Sequence, residues 1–170
     1  MLTLGIDPGS RLLGFGLVSK AGGNKLKHHA HGTLRFNTKI EANERLVEIY
    51  HGVKALIQEY KPEHVAIEKV FFAKNVVSAL KLGQARGVAI LAVAEAGLSL
   101  FEYSPNTIKQ ATVGFGHADK EQVARMMTLL LGVKKFETVD ASDALAIAVC
   151  HLHTHGFKNR LTELAKGAKL

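Results

Sequence analysis

The sequence predicts an α/β fold: a mixed five-stranded sheet, three antiparallel strands followed by parallel additions, flanked by helices. Three observations lead there. The first three strand-like stretches are joined by turns too short for a crossover. The next strand follows a helix, as a parallel strand does when it enters a sheet in an α/β unit. The longer polar–apolar segments carry apolar residues at i, i+3, i+4 and i+7, the mark of a helix laid on a core.

Leu2, Leu4 and Ile6 alternate with Thr3 and Gly5 and end on Asp7, and Pro8-Gly9-Ser10 then supplies a turn. A second strand runs from Leu12 to Ser19, where Gly14 and Gly16 leave one face of the hairpin bare for a ligand or a partner backbone. Ala21 to Asn24 is a turn, and Lys25 to Phe36 reads as the third strand. His28, His29 and His31 lie in it at i, i+1 and i+3, which places His29 and His31 on one face and His28 on the other, as a solvated polar face. Glu44 to Tyr60 is a periodic helix stopped by Lys61-Pro62, and His64 to Glu68 is a short strand that again ends in an acid. Asn75 caps a long helix to about Ala96, with Gly83 and Gly87 inside it at a cost of about 1 kcal/mol each unless close packing compensates. Leu98 to Tyr103 is the fifth strand, and Ser104-Pro105 opens a helix by cap and first-turn chemistry. Asp119 with Gln122 forms a capping box for Lys120 to Leu131, and a last helix runs from Asp140 to about His155. Residues 1–156 are one domain and 157–170 a basic tail, helical or frayed.

With 170 residues, 47% hydrophobic and 22% charged, the chain has an ordinary globular composition and length enough for a core without staples. Cys150 has no partner for an internal disulfide, no signal sequence precedes the first strand, and the longest apolar run, Gly87 to Gly97, contains Glu95 and is too short for a bilayer. A cytoplasmic protein without a membrane role is expected. A net charge of +7 points to an anionic partner, nucleic acid among the choices.

Four acids then need an explanation. Asp7 and Glu68 close apolar strands, and Asp140 and Asp143 stand three apart on a helix otherwise apolar at Ala144, Ile147 and Val149. Residues at that spacing hold their Cβ atoms about 5–6 Å apart, so both carboxylates reach one point and repel unless a cation lies between them. Four carboxylates with no cysteine or histidine placed beside them suit Mg²⁺ or Mn²⁺ over zinc. Two such ions would serve phosphodiester hydrolysis, with the basic chain drawing in the polyanion. The competing explanations are structural: Asp7 starts a turn, and Asp140 caps a helix. Neither accounts for Glu68.

The segments IDPGSRLLGFG, AIEKVFFAKNVVSALKLGQARGVAI, IKQATVGFGHADKEQV and DASDALAIAVCHLH, in this order across Leu2 to His155, resemble the RuvC-type Holliday-junction resolvases. The resemblance implies a ribonuclease-H-like fold, a homodimer, and Mg²⁺-dependent paired nicking of four-way DNA junctions in homologous recombination and DNA repair. Two ions per active site are implied, with Mn²⁺ as a substitute, along with a branch-migration motor as partner. It carries the catalytic, metal-binding role onto Asp7, Glu68, Asp140 and Asp143. It also gives Phe71 the part of an aromatic that stacks at the open junction, and Lys109 and Lys120 that of phosphate contacts. Phe72 and Lys69 depart slightly from the family pattern, and the helix bearing Gly83 and Gly87 would lie near the dimer interface. Two other functions remain to be separated from this one: a junction-binding module whose acids are structural, and an actin-like ATPase, for whose second lobe the chain has no room.

Overall fold

A computed structural model describes residues 1–22, 25–69 and 75–167, with 157–167 as backbone alone. Five strands, β1 (Leu2–Asp7), β2 (Leu12–Lys20), β3 (Leu26–Arg35), β4 (His64–Glu68) and β5 (Ser99–Tyr103), form one sheet in the order β3-β2-β1-β4-β5. The β1/β2 and β2/β3 pairs are antiparallel, and β4 joins β1, and β5 joins β4, in parallel. The expected mixed sheet is therefore present.

Alternation along β1 divides the molecule into two cores. Leu4 and Ile6 face α1 (Ala42–Tyr60) and α2 (Val76–Glu95), where Ile49, Val53, Leu56, Ala85, Ala89 and Val93 close the first core. The opposite face receives α5 (Val139–Gly167), supported by α3 (Pro105–Val113) and α4 (Lys120–Leu131), with Leu145, Ile147, Val149, Leu152, Ile108 and Met127 buried. Residues 144–152 of α5 are nearly all sealed from solvent, so this helix is the central element of the second layer.

Local chemistry sets the boundaries. Asn75 accepts from the Ser78 N–H, Ser104 from Thr107, and Asp119 and Gln122 make the reciprocal capping box. Helix α1 ends at Lys61 in the left-handed region (φ 48°), and Pro62 prevents its continuation.

Three expectations need correcting. The bare hairpin face is filled by this chain's own α5: a Cβ on Gly14 would lie 2.1 Å from the Asp140 carbonyl oxygen, and one on Gly5 2.1 Å from that of Ala144. These glycines admit a helix backbone, so no substrate occupies their place. The strand histidines also divide differently. A register shift pairs Leu17 with Ala30 and Val18 with His28, leaving His29 as the extra residue of a bulge. That resets the alternation, and His28 Nε2 meets His31 Nδ1 at 2.9 Å while His29 bonds Ser19. Finally, the end placed near His155 is passed: α5 continues through Gly156 to Gly167, the helical one of the two readings of the tail, because one helical glycine costs only about 1 kcal/mol and helix-forming residues follow.

Candidate active site

The acids meet at the C-terminal ends of β1 and β4. Asp7 is the last residue of β1 and Glu68 of β4, and the two strands are hydrogen-bonded neighbours. The Asp7 partner on β2 is Gly14, the position against which the start of α5 packs, so the same missing side chain that seats α5 brings Asp140 beside Asp7. Close backbone approach is what glycine permits and any Cβ would forbid.

Capping does not explain the α5 acids. The Ala141 N–H is accepted by Thr138 Oγ1 at 3.2 Å, which makes Thr138 the cap and leaves Asp140 inside the first turn. Thr138 is in turn held by Thr33 of β3 at 2.5 Å. Both carboxylates are thus available for other work. The turn reading of Asp7 fares no better, since among the described residues no hydrogen bond ties its carboxylate to the Pro8-Gly9-Ser10 turn.

Electrostatics show the four acids acting on one another. Burial first, then Asp143, Glu68 and Asp140, push the Asp7 carboxyl from 3.8 up to about 8, with Lys120 pulling the other way. Glu68 is also raised, by burial and then by Asp143, against Lys120 and Lys109. Lys120 Nζ sits 2.8 Å from Asp143 Oδ2, and that bond holds the ammonium above its usual range. A protein cation is thus already drawn to the acids, and the donor set is entirely oxygen, so the site fits hard divalent cations. Lys109, Lys120, Glu68 and Asp143 line a single cleft, which places the two phosphate-contact candidates beside the acids. Phe71 lies outside the described residues.

The raised Asp7 carboxyl has a measurable consequence in metal-free protein. Between 3.8 and about 8 the folded state holds a proton that the unfolded state has released, so stability falls as pH rises through that window. Thermal melts in chelator should drop progressively from pH 4 to pH 8, and the Asp7→Asn variant should show a shallower fall. Equal slopes for the two proteins would contradict the assignment.

Arg86 of α2 was not legible in the sequence. Its Nε donates to the Glu68 carbonyl at 3.0 Å and its Nη2 to Glu102 Oε2 at 2.5 Å, fixing the end of β4. An arginine mid-helix gives no hint of a strand terminus as its target.

The comparisons with known proteins agree with this geometry. The family model described as "Crossover junction endodeoxyribonuclease RuvC" matches residues 3–151, a span that holds all four acids. The chain belongs to this family. A RuvC crossover junction endodeoxyribonuclease from Geobacter metallireducens is 49% identical over 164 residues, 96% of this chain and 99% of that one. Among solved structures, T. thermophilus RuvC in complex with Holliday junction substrate is similar at TM-score 0.85 and 36% identity, covering 91% of this chain and 94% of that one. The yeast mitochondrial Holliday junction resolvase Ydc2 matches at TM-score 0.74 over 97% of this chain and 83% of its own. At 13% identity that likeness concerns the fold alone.

Proposed function

We propose that this chain resolves four-way DNA junctions by divalent-cation-dependent phosphodiester hydrolysis, with Asp7, Glu68, Asp140 and Asp143 as the cation ligands. The observation that carries the reading is the gathering of four acids from three elements, where burial first and then the other three carboxylates push Asp7 up to about 8. Buried like charges at that cost are expected where a cation offsets them. Bound there, divalent cations supply charge that activates a water and stabilises the departing 3′ oxygen. The protein's own residues do the rest. Asp7 and Glu68 stand on strand ends that cannot shift without breaking the ladder, and Asp140 and Asp143 on the buried part of α5, so all four are held ready. Lys120 leaves Asp143 and, with Lys109, takes hold of a phosphate in the same cleft. Phe71 would stack at the opened junction centre.

Mg²⁺ is the proposed ion, Mn²⁺ its substitute. Cleavage of a labelled four-way junction should appear with Mg²⁺ and Mn²⁺, vanish in chelator, and fail with Ca²⁺ although binding persists. Undiminished cleavage in chelator would overturn the cation role, and binding without cleavage in any ion would favour the junction-binding module.

A homodimer is proposed through α2. Its Val76, Val77, Leu80 and Leu91 are between 58% and 74% exposed, and a Cβ on Gly83 or Gly87 would meet nothing of this chain within 4 Å. Among the described residues, therefore, these glycines serve no intrachain packing. Among the described residues α2 is also the helix long and apolar enough to cross a membrane by length and composition. Its mid-helix Lys81, and Arg86 paired with Glu102, favour a protein partner. A second copy matches the two-fold symmetry of a four-way junction. Leu80→Glu should give a monomer by light scattering and uncouple the two nicks. An unchanged dimer would redirect the interface elsewhere. A branch-migration motor that presents the junction is the further partner this reading carries.

A further inference from the structure

The sheet face that carries the acids at one end carries histidines at the other. Thr3, Gly5 and Asp7 of β1 share that face with His64, Ala66 and Glu68 of β4. While Glu68 closes β4, His64 opens it, four residues and about 13 Å away along the strand. Helix α5 runs the same way, from Asp140 and Asp143 to His151 and His155. The last two are at i and i+4, one face of the helix.

Ligand nitrogens of His64, His151 and His155 all lie within 4.8 Å of one another, the one such group of three among the described residues. The rings pack around a common centre: His64 stands edge-on to His151 and to His155 at 5.0 Å, and His151 stacks on His155 at 5.1 Å. His151 is fully buried. Its Nδ1 bonds the Tyr103 hydroxyl at 2.8 Å, which leaves Nε2 turned to His64 Nδ1, also at 2.8 Å. An outer partner that fixes the far ring nitrogen is the usual support of a metal-ligating imidazole. The same sheet face holds Thr3, the β1 partner of His64, whose buried Oγ1 has no hydrogen-bond partner among the described residues.

We propose that His64, His151 and His155 form a site for a borderline divalent transition metal such as Zn²⁺, separate from the acidic centre. Three neutral nitrogen donors suit Zn²⁺, Co²⁺ or Ni²⁺ and not Mg²⁺, so the two sites would sort ions by donor chemistry. Burial and mutual repulsion hold His151 down at about 3 and lower His64, so protons do not compete for the nitrogens of those two rings at neutral pH. Binding needs the His64–His151 hydrogen bond to open from 2.8 Å to about 3.3 Å, the nitrogen separation in a tetrahedral site. The proton shared in that bond moves to the far nitrogen of whichever ring holds it, Nε2 of His64 or Nδ1 of His151, where the Tyr103 hydroxyl can accept it. Charged groups nearby are mixed: Lys20 and the N-terminus oppose a cation, and Glu63, bonded to the Leu2 N–H, favours it. Such a site would clamp α5 to β4 at the end remote from DNA chemistry.

The test uses full-length protein stripped with chelator and titrated with Zn²⁺ against a chromophoric competitor, with thermal melts in parallel. Wild type and the doubly substituted Asp7→Asn/Asp143→Asn protein should each bind one tight equivalent and melt higher with Zn²⁺. His155→Gln, a half-buried position, should weaken that equivalent by about tenfold or more and abolish the thermal shift; His64→Gln, on the strand, serves as the second variant. His31→Gln should change nothing. No tight equivalent in wild type, an equivalent unaffected by both His155→Gln and His64→Gln, or one lost with His31 or the acids would each overturn the proposal.

Discussion

Asp7→Asn should lower single-turnover junction cleavage by about a thousandfold while leaving junction affinity within about threefold. Asn keeps the size of the side chain and one oxygen, so β1 and the packing of α5 are undisturbed. What it removes is the charge that three neighbouring carboxylates already oppose. Junction affinity rests on the basic surface, which the substitution leaves in place. The same substitution should make metal-free protein more stable near pH 8, because it deletes a buried group that repels its neighbours. Loss of cleavage together with gain of stability separates a functional acid from a structural one. A structural acid would lose both.

Gly14→Ala should cost about 3 kcal/mol of stability, the upper end for overpacking, and abolish cleavage even in whatever fraction folds. The new methyl would sit 2.1 Å from the Asp140 carbonyl oxygen and 3.1 Å from its Cβ. Both neighbours belong to a helix sealed against the sheet, so neither yields cheaply. Relief comes only by lifting the first turn of α5, and that turn carries Asp140. Urea melts and junction cleavage on one preparation check both halves. Gly83→Ala is the contrast: with open space around it among the described residues, it should gain helix stability while disturbing the α2 interface.

Much of this arrangement was legible because local chemistry announces itself. His64 to Glu68 reads as a strand from its apolar run between Pro62 and a loop, and the structure has those same limits. Asn75, Ser104 and Asp119 are capping residues by type and spacing, and each caps its helix. Asp7 and Glu68 stand out in the sequence as acids that close apolar strands, and Asp140 and Asp143 as a pair three apart on an otherwise apolar helix. What stayed hidden depends on contacts distant in sequence. Gly14 offers room, but nothing local says that α5 takes it, some 130 residues on. The bulge at His29 exists because of cross-strand register, which a single strand does not display. Thr138 displaces Asp140 as cap by one hydroxyl bond that Thr33 supports from another strand. His64 and His151 are 87 residues apart and meet only once α5 lies across β4.

The anomalous difference map of crystals of the full chain soaked in Mn²⁺ tests the central claim most directly. It should show density bounded by the carboxylates of Asp7, Glu68, Asp140 and Asp143, with Lys120 Nζ displaced from Asp143. Protein that cleaves junctions in Mn²⁺ yet shows no density among those four acids, with the Lys120–Asp143 pair intact, would contradict it.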